Sequence, residues 1–161
     1  MRQTCVSIDR GGVLSRLRVA AFVAWCAHLI AGLSMVLVLR RGLETTTDLQ
    51  ARLSFLVNHS EIWTLAWLTW TAAAIAILYF YFAFNEAHKL ESRIAVLLTV
   101  AALGPDLSAQ AIEIGLLPSL ARQVMNASSS PEIFLLIHQI TVILSGFVAN
   151  RLYNISTLLL M

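Results

Sequence analysis

Long apolar runs separated by short polar stretches set the pattern of this chain. Runs from Val19 to Leu39, from Ile62 to Phe84 and from Ile94 to about Leu120 hold about 21, 23 and 27 residues. At 1.5 Å per residue each is long enough to cross a hydrocarbon layer of about 30 Å. A fourth run starts near Ile133. The 17 residues from there to Ala149 are close to the minimum span, so this helix is expected to continue past Arg151 to about residue 158. The pattern predicts an all-α polytopic membrane protein. Its four transmembrane helices, at about 19–39, 62–84, 94–120 and 133–158, form an antiparallel bundle. No internal repeat is evident, and residues 1–161 read as a single integral membrane domain.

Polar punctuation refines this outline. Residues 1–17 read as a basic, loose tail in which Gly11-Gly12 breaks any early helix. A secretory signal is excluded, because the first apolar run is too long for an h-region and ends in Arg40-Arg41. In the loop 42–61, Thr46-Thr47-Asp48 offers an N-cap, and Leu49, Leu53, Leu56 and Val57 follow at helical spacing. That segment is read either as a short interfacial helix or as a helical loop packed on the bundle end. The turn 85–93 is short enough to make helices two and three antiparallel neighbours. Trp63, Trp67 and Trp70 at one end of helix two, and Tyr79 to Phe84 at the other, match two interfacial aromatic belts. Pro105 falls near the middle of helix three and is expected to kink it.

Composition agrees with the pattern. The chain is 58% hydrophobic and 12% charged, with mean hydropathy +0.77, whereas a soluble domain carries about 25% charge. The net charge of +2 and the scattered Arg residues exclude a nucleic-acid footprint. Cys5 and Cys26 form no CxxC pair and read as structural thiols. Seven Lys and Arg residues fall on the side of the termini and four on the other, Arg52 among the four. The positive-inside rule then places both termini in the cytoplasm, across a bacterial or organellar inner membrane.

The chemistry is concentrated in helix three. Asp106, Gln110 and Glu113 lie within about 40° of one another on a helix, one polar stripe in an otherwise lipid-compatible segment. Intramembrane carboxylates are costly unless they face a partner or water, so the stripe is expected to face inward. On helix one, His28 shares a small-residue face with Ala21, Ala24, Ala31, Gly32 and Met35 and is expected to point into the bundle. On helix four, His138, Thr141 and Ser145 share a face. Counting depth from the outer ends puts His28 and Asp106 both about 16 Å down, and Glu113 and His138 at about 6 and 8 Å. Two buried pairs are therefore expected, His28 with Asp106 and Glu113 with His138.

No catalytic signature is present: there is no GxSxG, HExxH or phosphate-binding Gly-rich loop. No HxxxH or ExxH spacing supports a metal site. The unequal depths of His28 and His138 speak against bis-histidine haem, although a single histidine contacting a pigment or haem stays open. Cofactors are unassigned. Two functional expectations follow. The first is a non-catalytic integral membrane subunit, partnered by the lipid bilayer and other membrane subunits. The second is a small proton- or ion-coupled carrier or channel, acting as a homo-oligomer through Asp106, Glu113, His28 and His138.

Overall fold

The computed structural model describes residues 10–88 and 92–160. Arg2, Cys5, residues 89–91 of the expected turn, and Met161 lie outside the described residues. The described residues are helical and contain no strand. The helices are α1 (Arg10–Leu37), α2 (Leu49–Asn58), α3 (Ser60–His88), α4 (Ser92–Gly115), α5 (Leu117–Met125), α6 (Pro131–Val142) and α7 (Asn150–Leu158). A 3-10 turn at Leu39–Arg41 follows α1, and a π-helical segment, Ile143–Ala149, joins α6 to α7. Four helical stretches are long and apolar enough to cross a membrane: Gly11–Arg41, Ser60–His88, Ser92–Met125 and Pro131–Leu158.

These bounds correct two sequence-based expectations, the start of helix one and the unbroken run of helix three, and bear out the extension of helix four. Helix one begins at Arg10, and Gly11-Gly12 lie inside it rather than before it. Glycine lowers helix propensity by about 1 kcal/mol, and the apolar length that follows outweighs that local cost. Helix three is continuous through Pro105 but breaks at Leu116, and α5 restarts with Pro118 in its first turn. A proline is tolerated there because first-turn N–H groups have no intrahelical partner. Helix four runs on to Leu158, with its backbone switching to i→i+5 winding in the middle.

The helices pack in sequence: α1 on α3, α3 on α4, and α4 on the π segment and α7. Alanines make the first contact close. Ala20, Ala24 and Ala31 are buried on α1, and Ala66, Ala73, Ala74, Ala76 and Ala83 on α3. Polar ties pin each neighbour. Ser34 meets Thr69 at 2.9 Å, and Arg16 pairs with Glu86 at 3.4 Å. Asn85 accepts from Ser92 at 2.7 Å. Tyr81 meets Thr157 at 2.9 Å, and Ser156 donates to the Ala95 carbonyl at 2.9 Å.

A hydrophobic core forms at one end of the molecule, where α2 and α5 pack together. Asp48 caps α2, accepting from the N–H groups of Gln50 and Ala51 at 2.9 and 3.2 Å. The face of α2 so fixed presents Leu53 and Leu56 to Leu39, Trp63, Leu117, Leu120 and Phe134. Trp63 and Trp67, expected in an interfacial belt, are instead buried in this core, while Tyr79 and Phe82 at the far end of α3 are exposed. The reason is local: α2 and α5 cover the end of α3, so its tryptophans meet protein rather than headgroups.

Gly42 allows that cover to close. A Cβ there would stand 2.6 Å from the Trp63 ring, whereas a Cβ at Gly32 would meet nothing within 4 Å. Gly42→Ala is expected to destabilise the fold by about 1–3 kcal/mol through overpacking. Gly32→Ala should be neutral or stabilising by up to about 1 kcal/mol, as for an open helix position. Thermal unfolding of both variants in one mild detergent checks the contrast.

Candidate functional site

Two polar sites occupy the spans. The first is sealed beneath α2 and brings together Arg52, Glu113, His138 and Thr141. Glu113 and His138 are each 1% exposed, and His138 Nε2 lies 3.5 Å from Glu113 Oε1. The Thr141 hydroxyl donates to Glu113 Oε1 and also to the His138 carbonyl, at 2.7 Å for the latter, so one proton serves two acceptors. The Glu113 carbonyl, just before the break at Leu116, accepts from Trp63 Nε1 at 2.8 Å.

Arg52 closes this site from above and is 5% exposed. Its Nε donates to the Gly42 carbonyl at 3.2 Å, and its guanidinium carbon stands 5.6 Å from the centre of the Phe134 ring. Its Nη2 bonds His138 Nδ1. A guanidinium has no lone pair to offer, so Nδ1 must be the acceptor. The remaining proton of a neutral imidazole then sits on Nε2, directed at Glu113. Burial pushes the Arg52 pKa down, and Glu44 and Glu113 push it back up. It stays charged at neutral pH. A cation, a neutral imidazole and a carboxyl group therefore stand in a row, with Glu113 Oε2 and His138 Nε2 lacking a hydrogen-bond partner.

The second site is a groove of about 430 Å³ over the inner face of α3. Its walls come from α1 (His28, Met35), α4 (Asp106, Gln110), the π segment (Ser145, Gly146) and α7 (Asn150, Tyr153, Thr157). Asp106 accepts from the Tyr153 hydroxyl at 3.2 Å. Gln110, buried between the two sites, accepts from Thr71 at 2.6 Å. Trp67, Trp70 and Tyr81, with Ala73, Ala74 and Ile77, all from α3, complete the lining.

The structure thus joins Glu113 to His138, and it sets Asp106 and Gln110 on the same inward stripe of α4. It does not pair His28 with Asp106. The two line one groove, but the His28 ring bonds its own helix, Nδ1 to the Ala24 carbonyl at 2.8 Å, and the residue is exposed. The seam of α1 runs through Ala20, Ala24 and Ala31, which leaves His28 at its edge rather than pointing into the bundle. Ser145 also parts from His138 and Thr141: it lies in the π segment and lines the groove, because i→i+5 winding rotates it off their face.

Arg52 is the site residue that the charge count misplaced among the solvated loop charges. Its signal was present in the spacing. It stands at i+3 from Leu49 and just before Leu53 and Leu56, on the apolar face of α2. Among the described residues, no three His, Cys, Asp or Glu side chains converge as a metal site. No protein-family model, curated protein or solved structure matches the chain.

The coupling within the sealed site is measurable. Arg52→Met keeps the stem but strands His138 and Glu113, with an expected loss of about 3–5 kcal/mol. The double variant Arg52→Met with Glu113→Gln removes both the guanidinium and the carboxyl and should cost clearly less than the sum of the two single changes. A double-mutant cycle of unfolding in detergent decides this, and strict additivity would show that the two groups do not communicate.

Proposed function

We propose that the protein is a non-catalytic integral membrane subunit of a larger membrane assembly. Its four long helices cross the membrane as an antiparallel bundle, with both termini in the cytoplasm of a bacterial or organellar inner membrane. Pairings such as Ser34 with Thr69 and Arg16 with Glu86 support antiparallel neighbours, since the residue numbers run in opposite directions. In this reading α2, packed on α5, lies at the outer interface as a lid.

One observation carries the subunit reading. Gln139 is exposed on α6, and no hydrogen bond among the described residues reaches its side chain. It lies about 8 Å from the midpoint of its span, well inside a hydrocarbon half-layer of about 15 Å. Lipid tails cannot satisfy an amide there, whereas a polar residue on a neighbouring helix can. The broad apolar face of α1, with Phe22, Trp25, Leu29 and Leu33 exposed, suits either lipid or the same neighbour. Partners are therefore other membrane subunits within the bilayer.

A second reading is favoured by the Glu113–His138 contact and by Asp106 and His28 lining one groove. It is a small proton- or ion-coupled carrier working as a homo-oligomer. The two readings separate on native mass. Extraction of the tagged chain from its own membrane in mild detergent is expected to give a particle containing other polypeptides, and Gln139→Leu should weaken that association several-fold. A particle of this chain alone would favour the carrier. In that case pH-dependent flux into vesicles, abolished by Asp106→Asn together with Glu113→Gln, is the expected result. Reporter fusions at each end check the orientation, and both are expected on the cytoplasmic side.

A further inference from the structure

The groove over α3 carries an imbalance that points to a ligand. Trp67 and Trp70, one turn apart on α3, both line it, and neither indole N–H has a hydrogen-bond partner. Trp67 is 6% exposed, so bulk solvent does not satisfy it. The contrast with Trp63 on the same helix is direct, since that indole donates to the Glu113 carbonyl. A buried donor left unpaired is unfavourable, and two on one wall of a cavity call for an acceptor between them.

Two of the groove's other polar groups, Asp106 and His28, have the opposite polarity. Asp106 accepts from Tyr153 and has lone pairs to spare. His28 donates through Nδ1 to the Ala24 carbonyl, so a neutral ring presents Nε2 as an acceptor. The two indole donors on the α3 wall and the acceptors His28 on α1 and Asp106 on α4 frame a space lined by indole and phenol rings. From the span midpoints, Trp70 lies about 6 Å, Trp67 about 10 Å and Asp106 about 4 Å from the middle of the membrane.

We propose that this groove binds a lipid-soluble ring carbonyl compound of the quinone class. A ring carbonyl accepts from the two indoles, and the flat ring lies against Trp67, Trp70 and Tyr81. In the reduced form the ring hydroxyl donates to Asp106 or His28, so both forms find partners. A volume of about 430 Å³ suits a head group of that size. Competing ligands fit less well. An organic cation would satisfy Asp106 and leave both indoles unpaired. A phosphate would set a second negative group beside Asp106. The ester carbonyls of bilayer lipids lie at the interface, too shallow for this depth. The proposal rests on the helices crossing the membrane and not on the subunit role.

The test uses the full chain in lipid nanodiscs with ¹⁵N-indole-labelled tryptophan, titrated with a decyl-substituted benzoquinone. Of the four indole signals, those of Trp67 and Trp70 are expected to move saturably, while Trp63, already bonded, stays in place. Exposed Trp25 reports simple partitioning. The proposal is overturned if Trp67 and Trp70 are already shifted and unresponsive, if they move no more than Trp25, or if a tetraalkylammonium ion shifts them saturably and the quinone does not. Trp67→Phe with Trp70→Phe keeps the rings and removes the donors. Read from a ¹³C-carbonyl signal of the quinone itself, its binding should weaken at least tenfold, and unchanged binding would contradict the proposal. If that variant does not fold, the titration of the native chain still decides.

Discussion

A guanidinium buried at the end of a set of long apolar helices is a demanding element, and much of this fold is arranged to satisfy it. Arg52 cannot shed its charge, so every group around it must accept or compensate. The Gly42 carbonyl, the His138 ring and the nearby Glu113 carboxyl do so, and they come from three separate parts of the chain. The cap on α2 by Asp48, the close approach of Gly42 to Trp63 and the packing of α2 on α5 all hold that meeting point in place. The largest apolar core forms around it because the same segments that bring the acceptors also bring Leu53, Leu56, Leu117 and Phe134.

The apolar spans were legible because a bilayer imposes one strong length and composition rule on any helix that crosses it. The inward stripe of α4 was equally legible, since burying Gln110 and Glu113 on one face is a consequence of helical spacing alone. The meeting of Glu113 with His138 followed from depth counting, a one-dimensional measure that tolerates ignorance of which helices touch. The same measure failed for His28 and Asp106. Equal depth says nothing about rotation about the helix axis, and the alanine seam of α1 turns His28 to its edge. Arg52 was missed because a positive residue in a loop is ordinarily solvated. Its place on the apolar face of α2 mattered more than its charge. The burial of Trp63 and Trp67 was hidden for a related reason: whether a tryptophan near a helix end meets headgroups or protein depends on what folds over it.

The two polar sites are near neighbours with different characters. The sealed one has a fixed tautomer and almost no access, properties of a structural joint. The groove has spare donors and acceptors and several walls, properties of a place that something occupies. Gln110 sits between them on α4 and bonds to Thr71, so the stripe that begins as a groove-facing surface ends as an internal strut.

The last helix serves both sites with one continuous stretch of chain, and its π-helical segment is what permits this. Ahead of Ile143 it turns His138 and Thr141 toward Glu113. Beyond Ala149 it turns Asn150 and Tyr153 toward the groove. The segment acts as a phase shifter, because i→i+5 winding takes up an extra residue and resets the angle at which everything downstream emerges. The angular relation between the joint and the groove is thus written in chain length rather than in side-chain identity. Removing one residue anywhere in 143–149 would leave both sets of polar groups present and misalign one against the other.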